Sequence, residues 1–407
     1  MEEQRQGQGQ LPGHPGLYVA SGLMNFAGAL AMVSLCYYAK DHLDANLMQL
    51  GVITFLGNFV YVSLCPLLGT LSDRYGRRPF IVSSTLVFAS AYFGAYLSTQ
   101  VWHLYVVTAF SGLGHALFWP AVEAELAAEA DSYQLRRRVG RFNISWSIGD
   151  IPGALVAGLA YDWQPQLPFL IAAATGVAIS AMNAVIRISA HTEETRTRHR
   201  ETVSGHAVPR DHVTFWRLAL LANFFSAGLV SIVRRLFPDL AVEALRYTGT
   251  QWGLLVMMVA ISRTVVFAIM ERRHGWLYRP KRLFFVQLLF PTGCLLIIFA
   301  QSYWTFILAF ACIGAASGVV YFSSLYYSVH GAGSQAQRAG LHESVLGLGA
   351  GVIPLVASST RRLSEPHWRD AIRAPYLAGA ALALLSISIQ AVILARSRRA
   401  APPAETP

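Results

Sequence analysis

A few ionisable and hydrogen-bonding residues lie deep inside long apolar runs, where such groups are costly and so carry information. Asp150 is the clearest. It shares one broad helical face with Asn143 and Trp146. It sits about nine residues into its run, roughly 13 Å deep at the helical rise. A carboxylate there must pair with a cation, face water or take up a proton. Asp150 therefore reads as a proton- or substrate-binding acid, or as a structural hydrogen-bonding group. His115, Trp119 and Glu123 recur every four residues on one helical face, in a helix that Pro120 bends. His115 offers a proton-exchanging ring, or a neutral one bonded to a carbonyl. Arg263 lies mid-run and cannot shed its proton, so it needs a carboxylate or an anionic substrate group. Glu343 sits about one turn inside its own run. Asn25, Asn223, Tyr321, Ser324 and Tyr327 add neutral hydrogen-bonding groups. The adjacent Arg234 and Arg235 read as interfacial, near the outer end of their run.

This is chemistry of binding and charge relay, not of covalent catalysis. The chain has no nucleotide loop, no G-x-S-x-G elbow and no H-E-x-x-H. Its four cysteines, Cys36, Cys65, Cys294 and Cys312, have no metal-type spacing and read as small packing residues. An enzyme, a cofactor and a metal are not expected.

The elements that must position these residues follow from composition. The chain is 54% hydrophobic and 13% charged, where a soluble protein carries roughly 25% charged residues. Apolar runs of about twenty residues recur throughout, as in a polytopic helical membrane protein. Twelve spans are expected: 17–39, 47–69, 80–98, 101–125, 141–161 and 167–187, then 213–236, 249–271, 282–300, 303–329, 339–359 and 372–395. They form two six-helix bundles, at 17–187 and 213–396. A polar central loop at 188–212 joins them, and disordered tails occupy 1–16 and 397–407. The first run reads as an uncleaved signal anchor. The net charge of +10 does not point to nucleic acid, because the basic residues cluster in short loops between spans. That bias puts both termini in the cytoplasm and the chain in a plasma membrane, the inner membrane of a prokaryote. Arg361, Arg362 and Arg369 fall on the outer side against the bias.

The two halves repeat at an offset of about 200 residues. Arg138-Val139-Gly140 matches Arg338-Ala339-Gly340, and Gly149 matches Gly349. Glu343 then stands where the first half has Asn143. Small residues such as Gly149 and Gly153, and the cluster Gly347, Gly349 and Gly351, let helices approach closely. They are expected either to pack alone or to let the fifth and eleventh spans move against the opposite half.

The stretch from Gly69 to Pro79, GTLSDRYGRRP, joins the second and third spans. Gly69 would allow close helix packing, and Gly76 a positive-φ turn. Asp73 can face the positive end of another helix. Arg74, Arg77 and Arg78 can pair with acids or lipid phosphates. This stretch resembles the signature loop of the major facilitator superfamily of secondary transporters. The resemblance implies an all-α polytopic membrane protein with twelve transmembrane helices in two pseudo-symmetric six-helix bundles. It implies alternating access to a cavity lined by the first, fourth, seventh and tenth spans. It also implies that Gly69, Asp73, Arg74, Gly76, Arg77 and Arg78 act with Glu123 or Glu125 as a gate, Arg77 pairing with one of those acids. The fifth and eighth spans adjoin in such folds, so Asp150 and Arg263 are expected to form a state-dependent pair. Substrate or proton binding is assigned to Asn25, His115, Trp119, Asn143, Trp146, Asp150, Arg263, Tyr321 and Glu343. One departure is Thr108, where many proton-coupled drug antiporters of the superfamily carry arginine.

The function expected is proton-coupled export of a drug-like or metabolic small molecule by a monomer, with membrane lipids as further partners and no nucleic acid. Import of a sugar, nucleoside or organic acid is the alternative within the same fold. A membrane sensor or lipid scramblase is the alternative of another class.

Overall fold

The computed structural model describes residues 15–127, 132–185, 211–273, 275–330, 335–364 and 371–400. Residues 188–210 of the central loop, tail residues 1–14 and 401–407 and the side chain of Asp73 lie outside the described residues. Among the described residues every regular element is helical. In chain order they are α1 (Pro15–Asp41), α2 (Leu47–Tyr75), α3 (Arg77–Tyr96), α4 (Val101–Ala127), α5 (Ser132–Trp163) and α6 (Leu167–Val185) in the first half. The second half has α7 (His212–Leu245), α8 (Gly249–Arg272), α9 (Pro280–Phe299), α10 (Tyr303–Val329), α11 (Gln335–Ser364) and α12 (Ala374–Ala400). Helix is the form that satisfies every backbone group within an apolar segment. All but α5 are long and apolar enough to cross a bilayer by length and composition. α5 is the exception because it opens on Arg136, Arg137, Arg138 and Arg141 and carries Asp150 inside.

The repeat is visible in the caps. α2 opens on a reciprocal capping box between Asn46 and Gln49, and α8 on the same box between Thr248 and Gln251. It is visible again in the packing. α1 lies against α5 and α6, as α7 lies against α11 and α12. α4 lies against α2 and α3, as α10 lies against α8 and α9. The halves meet along two long seams, α5 with α8 and α2 with α11.

Several boundaries depart from expectation. α2 continues through Asp73, Arg74 and Tyr75, so the signature turn shrinks to Gly76 alone, at φ 92°. That positive φ is the one the sequence called for. Gly69 is not a close-approach site, since a Cβ there would rest 3.6 Å from Pro120 in ordinary contact. α5 starts at Ser132, not 141. α7 reaches Leu245, not 236, by widening into π turns at Ile232–Leu236 and Ala241–Leu245. Pro238 lies between those turns; it has no N–H to bond the preceding turn, which favours the wider winding.

The seam glycines are sorted differently from expectation. A Cβ on Gly149 would lie 1.9 Å from the Gly22 carbonyl oxygen, and one on Gly349 1.9 Å from that of Phe224. Both glycines thus serve packing within a half, α5 on α1 and α11 on α7. Between halves the close approaches include Gly158, 2.2 Å from the Gly249 oxygen, Gly253, 2.5 Å from the Ala154 oxygen, and Gly347, 2.6 Å from Val62. Gly149→Ala and Gly349→Ala should each lower thermal stability by about 1–3 kcal/mol through overpacking. Gly340→Ala, with nothing within 4 Å of the added Cβ, should be neutral or mildly stabilising. Thermal unfolding of the purified chain in detergent checks the contrast.

Candidate functional site

The site is built along the seam of α5 and α8, with α7 crossing it. Asp150 is buried on α5, and each of its oxygens accepts from a different arginine. Arg263 of α8 donates to Oδ2 at 2.5 Å, and Arg234 of α7 donates to Oδ1 at 2.8 Å. The pair expected between Asp150 and Arg263 is therefore present, and a second guanidinium joins it. Asn143 and Trp146, one to two turns before Asp150, complete the face. The Arg263 guanidinium lies over the Trp146 ring at 4.5 Å. The indole donates to Asn143 Oδ1 at 3.2 Å, and Asn25 of α1 donates to the Trp146 carbonyl at 2.9 Å. Arg263 Nε and Asn143 Nδ2 are buried without a hydrogen-bond partner among the described residues.

Below this cluster, towards the Gly76 turn, Trp146 meets Tyr321 of α10 edge-on at 5.3 Å. Tyr321 leads to a second cluster. Glu343 of α11 accepts from Tyr61 of α2 and also bonds Tyr321. Its further neighbours are the His342 ring, whose Nε2 stands 3.6 Å from Oε1, and Glu123 of α4, in the opposite half, carboxyl against carboxyl. An ionised carboxylate has no donor, so two carboxyl groups bond each other only when a proton sits between them. One further Glu123 oxygen is buried without a partner among the described residues.

Either Glu123 or Glu125 was expected as the partner of the signature-loop Arg77. The structure gives that role to Glu125, which Arg77 meets at 2.6 Å. Residues two apart on a helix point away from each other, so only one of the two acids can face α3, and Glu123 turns to α11. Arg78 donates to the carbonyl of Ala184, at the end of α6. Arg74 lies over its neighbour Tyr75 at 5.4 Å. His115 and Trp119 bond each other, the indole donating to His115 Nδ1 at 3.0 Å; neither reaches the Asp150 cluster through a described hydrogen bond.

Sequence reasoning missed the far end. Lys40 of α1 bonds Glu243 and stands 3.5 Å from Asp239, both on α7. Arg361 of α11 bonds the same two acids at 2.5 and 2.7 Å. This gives a partner to an arginine that the charge bias left without an account. Asp162, ending α5, accepts from the backbone N–H groups of Gly249 and Thr250 at 2.7 and 2.8 Å. A carboxylate on the positive end of α8 is the kind of contact expected of Asp73 with another helix. The signal available was Asp239 and Glu243 four residues apart, on one face, beyond the presumed end of a span. Arg234 was likewise misplaced: it is not interfacial but reaches Asp150 mid-helix. A cavity of about 470 Å³ lined by Phe215, Trp276, Arg279, Arg282 and Tyr327 lies apart from both clusters, at the Gly76-turn end of the second half.

Comparison with known proteins decides the family. The sequence model of the Major Facilitator Superfamily matches residues 17–354. The chain belongs to the major facilitator superfamily. It is 36% identical over 124 residues to the class D tetracycline resistance protein of Salmonella ordonez, covering 30% of this chain and 31% of that one. It is 28% identical to the class B tetracycline resistance protein of Escherichia coli, over 52% of this chain and 51% of that one. To macrolide efflux protein A of Streptococcus pyogenes it is 22% identical, over 60% and 62%. The chain thus spans about a third to two thirds of the length of these relatives. Its fold is similar to that of the human organic anion transporter MFSD10, with a TM-score of 0.65, 18% identity and coverage of 92% and 98%. It is also similar to that of the nucleoside transporter NupG, with a TM-score of 0.64 at 13% identity, over 93% and 98%. As a facilitator-superfamily protein with eleven described helices long and apolar enough to cross a bilayer, the chain is a multi-pass membrane protein.

The two-to-one geometry at Asp150 has a measurable consequence. Asp150→Asn strands a buried guanidinium, Arg263, and a half-buried one, Arg234, and should lose about 3–5 kcal/mol. Arg234→Gln leaves the Asp150–Arg263 pair intact and should lose clearly less. Thermal unfolding of the two variants side by side reads the order; equal losses would argue against the shared carboxylate.

Proposed function

We propose that the chain exports a drug-like or metabolic small molecule in exchange for protons, by alternating access. The proton site we assign is the Glu123–Glu343 pair. The face carrying the Gly76 turn is taken as cytoplasmic, following the basic-residue bias. The observation that carries the reading is a carboxyl–carboxyl contact bridging the two halves. Efflux relatives support the direction.

The mechanism follows from the proton between these acids. While it is held, the α4–α11 contact is a hydrogen bond that closes the cytoplasmic end of the seam. Once it leaves, two like charges about 4 Å apart repel by about 4 kcal/mol at an effective dielectric of about 20, and the seam opens inward. An empty, deprotonated carrier then closes poorly, so the gradient is not dissipated without cargo. Cargo binding supplies the closing energy, and a proton from outside restores the pair. Asp150 is assigned a different role from the proton carrier expected of it. Both its oxygens already accept from guanidiniums, so it serves as a clamp of α5 to α7 and α8. Tyr61 and Tyr321 hold Glu343 in place between halves.

The test is gradient-driven uptake of labelled tetracycline and erythromycin into inverted membrane vesicles. Wild type should accumulate at least one of them under an imposed pH gradient. Glu343→Gln should lose accumulation while retaining downhill exchange. Undiminished uphill transport by that variant would defeat the assignment. The pH dependence has a fixed sign: raising pH removes the shared proton, so spectroscopic labels across the α4–α11 end should move apart as pH rises. Glu123→Gln and Glu343→Gln should abolish that movement.

A further inference from the structure

Arg235 is the one guanidinium of the seam cluster with no acid among the described residues. Its neighbour Arg234 turns to Asp150. Arg235 lies one residue on, in the widened π turn Ile232–Leu236, and points instead into the first half. Its hydrogen-bond partners among the described residues are both sulfur: Met32 Sδ at 3.6 Å and the Cys36 thiol, each on α1. Its other polar surroundings are Tyr92 of α3 and His115 of α4, and its charged neighbour is Arg234, of like sign. Thioether and thiol are weak acceptors. A guanidinium deep in its helix, answered by sulfur and facing another guanidinium, is a costly arrangement that an anion would relieve.

The space around it suits a ligand. Met32, His115, Trp119, Arg234 and Arg235 all keep partial exposure although they sit well inside their helices. They lie between two closures, the Lys40–Asp239–Glu243–Arg361 network at one end and the Glu123–Glu343 contact at the other. Its neighbours are the Met32 thioether and the His115 imidazole, to which the Trp119 indole is bonded, and such groups fit an apolar body. The fork of Arg235 fits a carboxylate or similar oxyanion bidentately.

We infer that Arg235 is the recognition residue of the central site and that the site takes an organic anion: a carboxylate or comparable oxyanion carried on an apolar, aromatic body. The inference rests on the seam being the transport path, as proposed above. It does not need proton coupling or a direction of transport. Arg234 and Arg263 contribute less to the ligand, because Asp150 already occupies them.

The experiment is tryptophan-fluorescence titration of the purified full-length chain with three probes of matched shape: 2-naphthoate, 2-naphthamide and 2-naphthylmethylammonium. Naphthoate should bind about tenfold or more tighter than the amide, the scale of a charge-assisted hydrogen bond, and the cation should bind weakest. Arg235→Gln should erase that preference while leaving affinity for the amide unchanged, and Arg235→Lys should keep part of it. A naphthoate affinity equal to that of the amide, or a preference that survives Arg235→Gln, would overturn the inference. Arg235→Met supplies a second reading. With no acid to lose, the unliganded variant should unfold at a temperature no lower than wild type, whereas a clear drop would make Arg235 structural and overturn the inference as well. No gradient enters either measurement. A protein that binds naphthoate through Arg235 but shows no pH-driven transport would therefore sink the export reading alone.

Discussion

A charge inside an apolar slab must be answered, and the seam between the halves is organised by that requirement. Asp150, Arg234 and Arg263 come from three helices and two halves, yet none can stand alone at that depth. Their mutual need ties α5 to α7 and α8 more tightly than apolar contact alone could, since lipid tails compete equally well for apolar surfaces. Trp146 under Arg263 extends the same logic, giving the guanidinium a π face beside the one carboxylate it shares with Arg234.

Around this fixed centre, the contacts at either end differ in chemistry. At one end Lys40 and Arg361 bracket two acids, and Asp162 caps the start of α8. These are carboxylates meeting cations or a helix dipole. At the other end Glu123 and Glu343 meet only through an exchangeable proton. One closure therefore responds to cargo and conformation, while the other also responds to pH. That asymmetry departs from the two-fold relation of the halves, since Asn143 stands where Glu343 stands in the repeat and Ser323 where Glu123 stands.

Much of the fold was legible in the sequence. Apolar runs of membrane-spanning length, the basic turn at Gly76 and the offset repeat were sufficient for an all-α, two-half architecture. Asp150 and Arg263 were legible because each is conspicuous in its run and each lacks a local partner. Lys40, Asp239, Glu243 and Arg361 were not, because each falls near a run end, where a charge reads as interfacial. Arg234 and Arg235 were misjudged for a geometric reason. The hydropathy of α7 falls at its two arginines, but the helix continues through two π turns to Leu245. Gly149 and Gly349 were legible as close contacts, though not as contacts within a half.

Sequence by itself determined the composition-driven facts: which segments must be helices, which residues are too polar for their surroundings, and that Gly76 must turn. These depend on local spacing and on the cost of burying polar groups, both of which a linear chain carries. Tertiary structure decided which costly groups answer one another. Glu123 and Glu125 are two residues apart and chemically alike, yet one meets an arginine and the other an acid. Arg234 and Arg235 are adjacent and alike, yet one is paired and the other faces sulfur. The reason is angular. Neighbouring residues on a helix point to different helices, and only the packing of twelve of them fixes what each direction contains.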